Sequence, residues 1–234
     1  MSEQPRPIAF LFDVDNTLLD NDRFEDDLGA WFDREIGPGS AQRYWAAYEV
    51  QRRKMDYADY LGALQHYWDD TGRDPRWMSA GEYLLEYPFA GRLYPGALDV
   101  LAHLATFGPV WLVSDGDAVM QPRKLRHAGL WDAVEGRVLI YIHKEHRLPD
   151  IEQRCGADHY VMIDDKLRVL DAMKQQWGKR LTTVLPRQGH YALDPAHAAG
   201  HPPADITIDR IGALAGSDPR LFGAPQVHAA AREE

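Results

Sequence analysis

The chain has 234 residues, 45% of them apolar and 26% charged, and a formal charge of −10, which fits a globular protein with one large core or a core carrying a sizeable insertion. The acidic balance argues against a nucleic-acid footprint, which needs clustered lysine and arginine, but not against an anionic substrate, because a bound metal reverses the local field. Cys155 is the single cysteine, so an intrachain disulfide is excluded and a reducing compartment fits; with no apolar run of membrane-spanning length and no secretory layout in residues 1–7, the chain reads as cytoplasmic.

Along the chain, Ile8-Ala9-Phe10-Leu11-Phe12 comes first, five apolar residues that predict a strand covered on both faces, as inside a parallel sheet. It runs straight into Asp13-Val14-Asp15-Asn16-Thr17. Residues 19–92 change character. Phe24, Leu28, Trp31, Phe32 and Ile36 recur at helical spacing up to the breaker Gly37-Pro38-Gly39-Ser40. Further apolar faces run through Tyr44, Trp45, Tyr48 and Met55, then Tyr57, Tyr60, Leu61, Leu64, Tyr67 and Trp68, then from about Trp77 to Tyr87. This predicts a helical insertion of three to five helices, its aromatic stripes mostly packed against one another and a few facing a substrate.

The α/β rhythm returns at Tyr94-Pro95-Gly96, where Pro95 suits the first turn of a helix through Leu104. Val110–Val113 is the second strand, ending at Ser114-Asp115-Gly116, and a helix follows to about Ala128, closed by Gly129. Val138–Ile142, Tyr160–Ile163, Leu181–Leu185 and Asp205–Ile208 complete the strands, so the alternation predicts an α/β, doubly wound parallel sheet. The expected division is a discontinuous core of residues 1–18 and 93–218, a helical cap of 19–92, and a flexible tail over 219–234.

Four strands end on groups suited to one reaction: Asp13 and Asp15, Ser114, Lys144, and Asp164 with Asp165. In a parallel sheet these ends meet along one edge. Adjacent carboxylates repel unless a cation or shared proton offsets their charge, and magnesium prefers such oxygen ligands. Hydroxyl, backbone N–H and ammonium groups hold phosphoryl oxygens. The same Asp and Ser residues would also cap turns and helices, most lysines are merely solvated, and His143 and His146 are read as structural or exposed.

The ordered set resembles the haloacid dehalogenase-like (HAD) superfamily, in its phosphohydrolase branch with a helical cap between the first and second motifs. Asp13-Val14-Asp15-Asn16-Thr17 matches the first motif, Ser114 the second, Lys144 the third and Ile163-Asp164-Asp165 the fourth; Tyr94–Ala97 and Lys124–Leu130 look like connecting segments. The resemblance covers about residues 7–215. It implies a Rossmann-like core and a Mg2+-dependent phosphatase acting on a small phosphorylated metabolite. Asp13 is then the nucleophile that becomes an aspartyl-phosphate, and Asp15 the acid/base. It further implies magnesium held by the Asp13 side chain, the Asp15 backbone carbonyl and Asp164 or Asp165. Ser114, the N–H of Asp115 and Lys144 would hold the phosphate, with Asn21, Arg23 and Phe24 as candidate substrate contacts past the hinge. In the usual third motif Pro follows the lysine directly; here Pro149 comes after Glu145-His146-Arg147-Leu148, so Lys124 stands as the alternative. The fourth motif's usual second acid is replaced by Leu170, with Asp171 beside it. A phosphomutase, a haloacid dehalogenase (against which Asp15 argues) and a non-catalytic phosphate- or partner-binding relative are the competing readings. The expected assembly is a monomer or a homodimer.

Overall fold

The computed structural model describes residues 8–70 and 72–223. Six strands, β1 (Ile8–Phe12), β2 (Val110–Asp115), β3 (Val138–Tyr141), β4 (His159–Ile163), β5 (Leu181–Pro186) and β6 (Ile206–Ile208), form one sheet in the order β3-β2-β1-β4-β5-β6. Every pairing is parallel. The unbroken apolar run of β1 has a simple cause. Ile8, Phe10 and Phe12 enter the apolar cluster on one face, and Ala9 and Leu11 the cluster on the other. Because β1 lies between β2 and β4, the chain order reverses around it and the strand ends there leave a crevice.

Between β1 and β2 lie α1 (Asn21–Glu35), α2 (Ser40–Met55), α3 (Tyr60–Asp70) and α4 (Met78–Glu86), which form the cap, then the 3-10 turn Phe89–Arg92 and α5 (Ala97–Leu104). The cap's aromatic stripes pack mainly on each other: Phe32 lies 4.4 Å from Tyr44 and 5.0 Å from Trp77, ring centre to ring centre. The two chain passages joining cap to core run side by side, Asp20 N donating to Arg92 O (2.7 Å) and Tyr94 N to Leu18 O (2.9 Å).

After β2 come α6 (Met120–His127) and α7 (Leu130–Ala133), with Gly129 between them in the left-handed region (φ 76°). Then follow α8 (Leu148–Cys155), α9 (Leu167–Trp177), α10 (Gly189–Leu193) and α11 (Pro195–Ala198). Two expectations need correction. Pro95 lies outside α5, which starts after Gly96 (φ 83°), where a Cβ would stand 2.9 Å from Gly212 Cα. Residues 219–222 form a packed 3-10 turn whose Phe222 is buried edge-on against Phe10, ring centres 5.5 Å apart; residues 224–234 of the expected tail lie outside the described residues.

Candidate active site

Register places the reactive groups. Phe12 pairs with both Leu112 and Ile163, so Asp13 and Asp164 leave adjacent strands at the same level, with Ser114, still within β2, one residue further along. Asp13 is buried, and its N–H donates to Ile163 O (2.9 Å). After β3, His143 takes a left-handed conformation (φ 58°) and starts the 3-10 turn Lys144–His146. Lys144 N donates to Asp115 Oδ1 (2.8 Å), which fixes that turn. The fully buried Lys144 ammonium pairs with Asp13, donates to Val113 O (3.1 Å) and lies 2.7 Å from Asp164 Oδ2. Burial alone would lower its pKa, but the carboxylates of Asp13, Asp164 and Asp115 outweigh it and hold the ammonium above the usual lysine range. Lys144, not Lys124, is therefore the lysine beside the first aspartate.

Asp13, Asp164 and Asp165 each present a carboxylate oxygen within 4.8 Å of the others, and all three are buried. Asp13 Oδ2 and both oxygens of Asp165 lack a hydrogen-bond partner, and burial raises the pKa values of Asp164 and Asp165. Buried carboxylates this close, with unpaired oxygens, suit a hard divalent cation with oxygen ligands. Asp164 is already engaged, its Oδ1 accepting from Lys166 N (2.8 Å) and its Oδ2 facing Lys144. Asp165 is the freer ligand, and its N–H donates to Thr17 Oγ1 (3.0 Å), linking the first and fourth loops. Asp171 stays apart, paired with His201 (2.8 Å).

The Asp15 side chain does not join this cluster. Its Oδ1 accepts from Lys124 Nζ (2.8 Å) and its Oδ2 from Gln121 Nε2 (3.3 Å), which also donates to Ser114 Oγ (2.7 Å). Lys124 is fully buried, contrary to the solvated helix face expected for it. Its position was readable, since Met120, Gln121, Lys124, Leu125 and Ala128 repeat at three and four residues and share the inward face of α6.

A cavity of about 960 Å3 lies between α1–α3 and the core loops, reaching Asp15, Asn16 and Asp115. Asn21 lines it and donates to Glu25 Oε1 (3.0 Å) and Tyr60 OH (3.2 Å). Burial raises the Glu25 pKa, against the Tyr60 hydroxyl and the Lys124 charge. Trp45, Tyr48, Tyr57 and Tyr60 are the cap aromatics that face this space. Phe24 does not; it is buried among Tyr60, Tyr87 and Phe89. Arg23 must also be corrected. Two residues beyond Asn21 on a helix, it points outward, 58% exposed beside Asp26 and Asp27. His143, half-buried, lines the cavity and pairs with Asp56 of the cap (2.8 Å), while Arg52 donates to Tyr191 OH (3.0 Å) across the same gap.

The sequence profile of the haloacid dehalogenase-like hydrolases matches residues 9–176. A protein of Burkholderia xenovorans LB400 assigned to the haloacid dehalogenase-like hydrolases is 56% identical, over 92% of this chain and 100% of its own, with a TM-score of 0.86. At the level of fold alone, YfnB of Bacillus subtilis, assigned to the HAD-hydrolases and solved bound to magnesium, is 19% identical over 89% of this chain and 97% of its own (TM-score 0.60). The L-2-haloacid dehalogenase of Xanthobacter autotrophicus, with chloropropionic acid covalently bound, is 15% identical over 88% of this chain and 96% of its own (TM-score 0.60). None of the curated proteins matches the chain. No helix among the described residues is long and apolar enough to cross a membrane.

Proposed function

This chain belongs to the haloacid dehalogenase-like hydrolase family, and we propose that within it the protein is a magnesium-dependent phosphatase hydrolysing a small phosphomonoester. The observation that carries this reading is the buried trio Asp13, Asp164 and Asp165 with unpaired oxygens, together with a second carboxylate, Asp15, held next to it by its own lysine. A dehalogenase needs the nucleophile but no acid/base two residues on.

Asp13 attacks phosphorus, the bond to the leaving oxygen breaks, and Asp15 gives that oxygen a proton. Asp15 then takes a proton from water, which attacks the aspartyl-phosphate, releasing phosphate and restoring Asp13. Ser114 and the Asp115 N–H bind phosphoryl oxygens, and Lys144 orients Asp13 and offsets the negative charge. Magnesium, held by Asp13, the Asp15 backbone carbonyl and Asp165 with Asp164, would draw charge from the phosphoryl oxygens. The cap excludes water during the first step and selects the leaving group. The cavity between cap and core suits a metabolite rather than a protein substrate.

The test is turnover of p-nitrophenyl phosphate with and without EDTA, alongside Asp13→Asn and Asp15→Asn. Loss of turnover on chelation and in Asp13→Asn is expected. Halide release from 2-chloropropionate with no phosphate release would replace this reading by dehalogenation.

A further inference from the structure

Lys124 belongs to none of the groups that bind phosphate or attack it, yet its ammonium is buried where three parts of the molecule meet. It donates to Asp15 Oδ1 (2.8 Å) in the first loop and to Asn21 Oδ1 (2.9 Å) at the start of cap helix α1. Three rings surround it, Phe24 of α1 at 5.6 Å, Tyr60 of α3 at 5.8 Å and Phe89 of the return passage at 5.6 Å from Nζ. The other Asp15 oxygen is held by Gln121, one turn earlier on α6.

We propose that Lys124 is a positioning residue that makes the aim of the Asp15 carboxylate depend on the seating of the cap. This rests on the phosphatase reading. A buried ammonium has lost its water and needs partners to offset that loss. Here Asp15 supplies one, and the cap supplies the amide oxygen and two of the three ring faces. Withdrawing α1 and α3 takes those groups away and leaves Lys124 free to change its hold on Asp15. With the cap seated, Lys124 and Gln121 hold both oxygens of the Asp15 carboxyl, so the group is aimed only while the site is closed over the substrate; the proton it gives the leaving oxygen is the one it took from water in the preceding turnover.

A residue acting through the proton donor matters most when the leaving group needs a proton. The experiment therefore compares kcat/KM for phenyl phosphate and p-nitrophenyl phosphate, alike in shape but unlike in leaving-group basicity, in the Mg2+-loaded enzyme. The ratio kcat/KM reports the steps up to leaving-group departure. Lys124→Met should lose about 10²-fold on phenyl phosphate and less than about tenfold on p-nitrophenyl phosphate. Lys124→Arg should restore part of the loss. Asn21→Ala keeps the lysine and should show the same selective loss in weaker form, which tests the cap's share even if Lys124→Met does not fold. Equal losses on both esters, or none, would overturn the proposal. A wild-type enzyme that hydrolyses neither ester would instead overturn the phosphatase reading beneath it.

Discussion

Two buried lysines face the two aspartates of the first loop, Lys144 on Asp13 and Lys124 on Asp15. They differ in what they stabilise. Lys144 lies between two buried carboxylates, so Lys144→Met leaves uncompensated charge and should cost about 3–5 kcal/mol in urea unfolding, with turnover lost; added Mg2+ should recover part of that stability. The residues on which this depends were legible as polar groups ending apolar strands, where a parallel sheet brings them together. Lys144 was legible by its place after the third strand, although its displaced proline kept Lys124 as an alternative; in the structure the left-handed His143 turns the chain back towards Asp13. Lys124 was open to misreading, since a lysine on a short helix is ordinarily solvated. Only the spacing of its apolar neighbours indicated otherwise. Arg23 failed for the converse reason: closeness to Asn21 in sequence does not place both residues on one helix face.

At the level of elements, α10 buttresses the first loop. Gln188, just before it, donates to Thr17 O (2.6 Å), and His190 N donates to Asp22 Oδ2 (2.8 Å). Gly189 has φ +73°, and a Cβ there would come within 2.4 Å of Asn16 Cβ. Gly189→Ala should therefore move α10 off that loop, costing about 1–3 kcal/mol in backbone strain and up to about 10²-fold in kcat through misplacement of Asp13 and Asp15. Phe222 is the contrasting case. It is fully buried on Phe10, away from the strand ends, so Phe222→Ala should cost about 3–5 kcal/mol and leave kcat unchanged well below Tm. Its packing was invisible in the sequence, because a lone aromatic in an Ala- and Gly-rich stretch has no periodicity to reveal a buried face. The strands were easier to read, since burial on both sides demands unbroken apolar runs.

For the whole molecule, one apolar cluster runs from the sheet face into the cap, while the polar cavity opens beside it. Cap and core thus share a core, and the strand-end carboxylates bear the electrostatic cost of the site. Magnesium should offset that cost. At a hundredfold excess over its Kd, binding should add about 2.7 kcal/mol, roughly 5–10 °C in Tm for a chain of this size. Asp165→Asn should abolish most of that rise. The central claim is that Asp13 becomes esterified by phosphate, and Asp15→Asn gives the most direct access to it, because that variant keeps the nucleophile but cannot activate water. Acid-quenched after mixing with p-nitrophenyl phosphate and Mg2+, it should show a stoichiometric burst of nitrophenol and a phosphate-mass adduct on the peptide containing Asp13. A burst with Asp13 unmodified, or phosphate carried on another residue, would contradict the account.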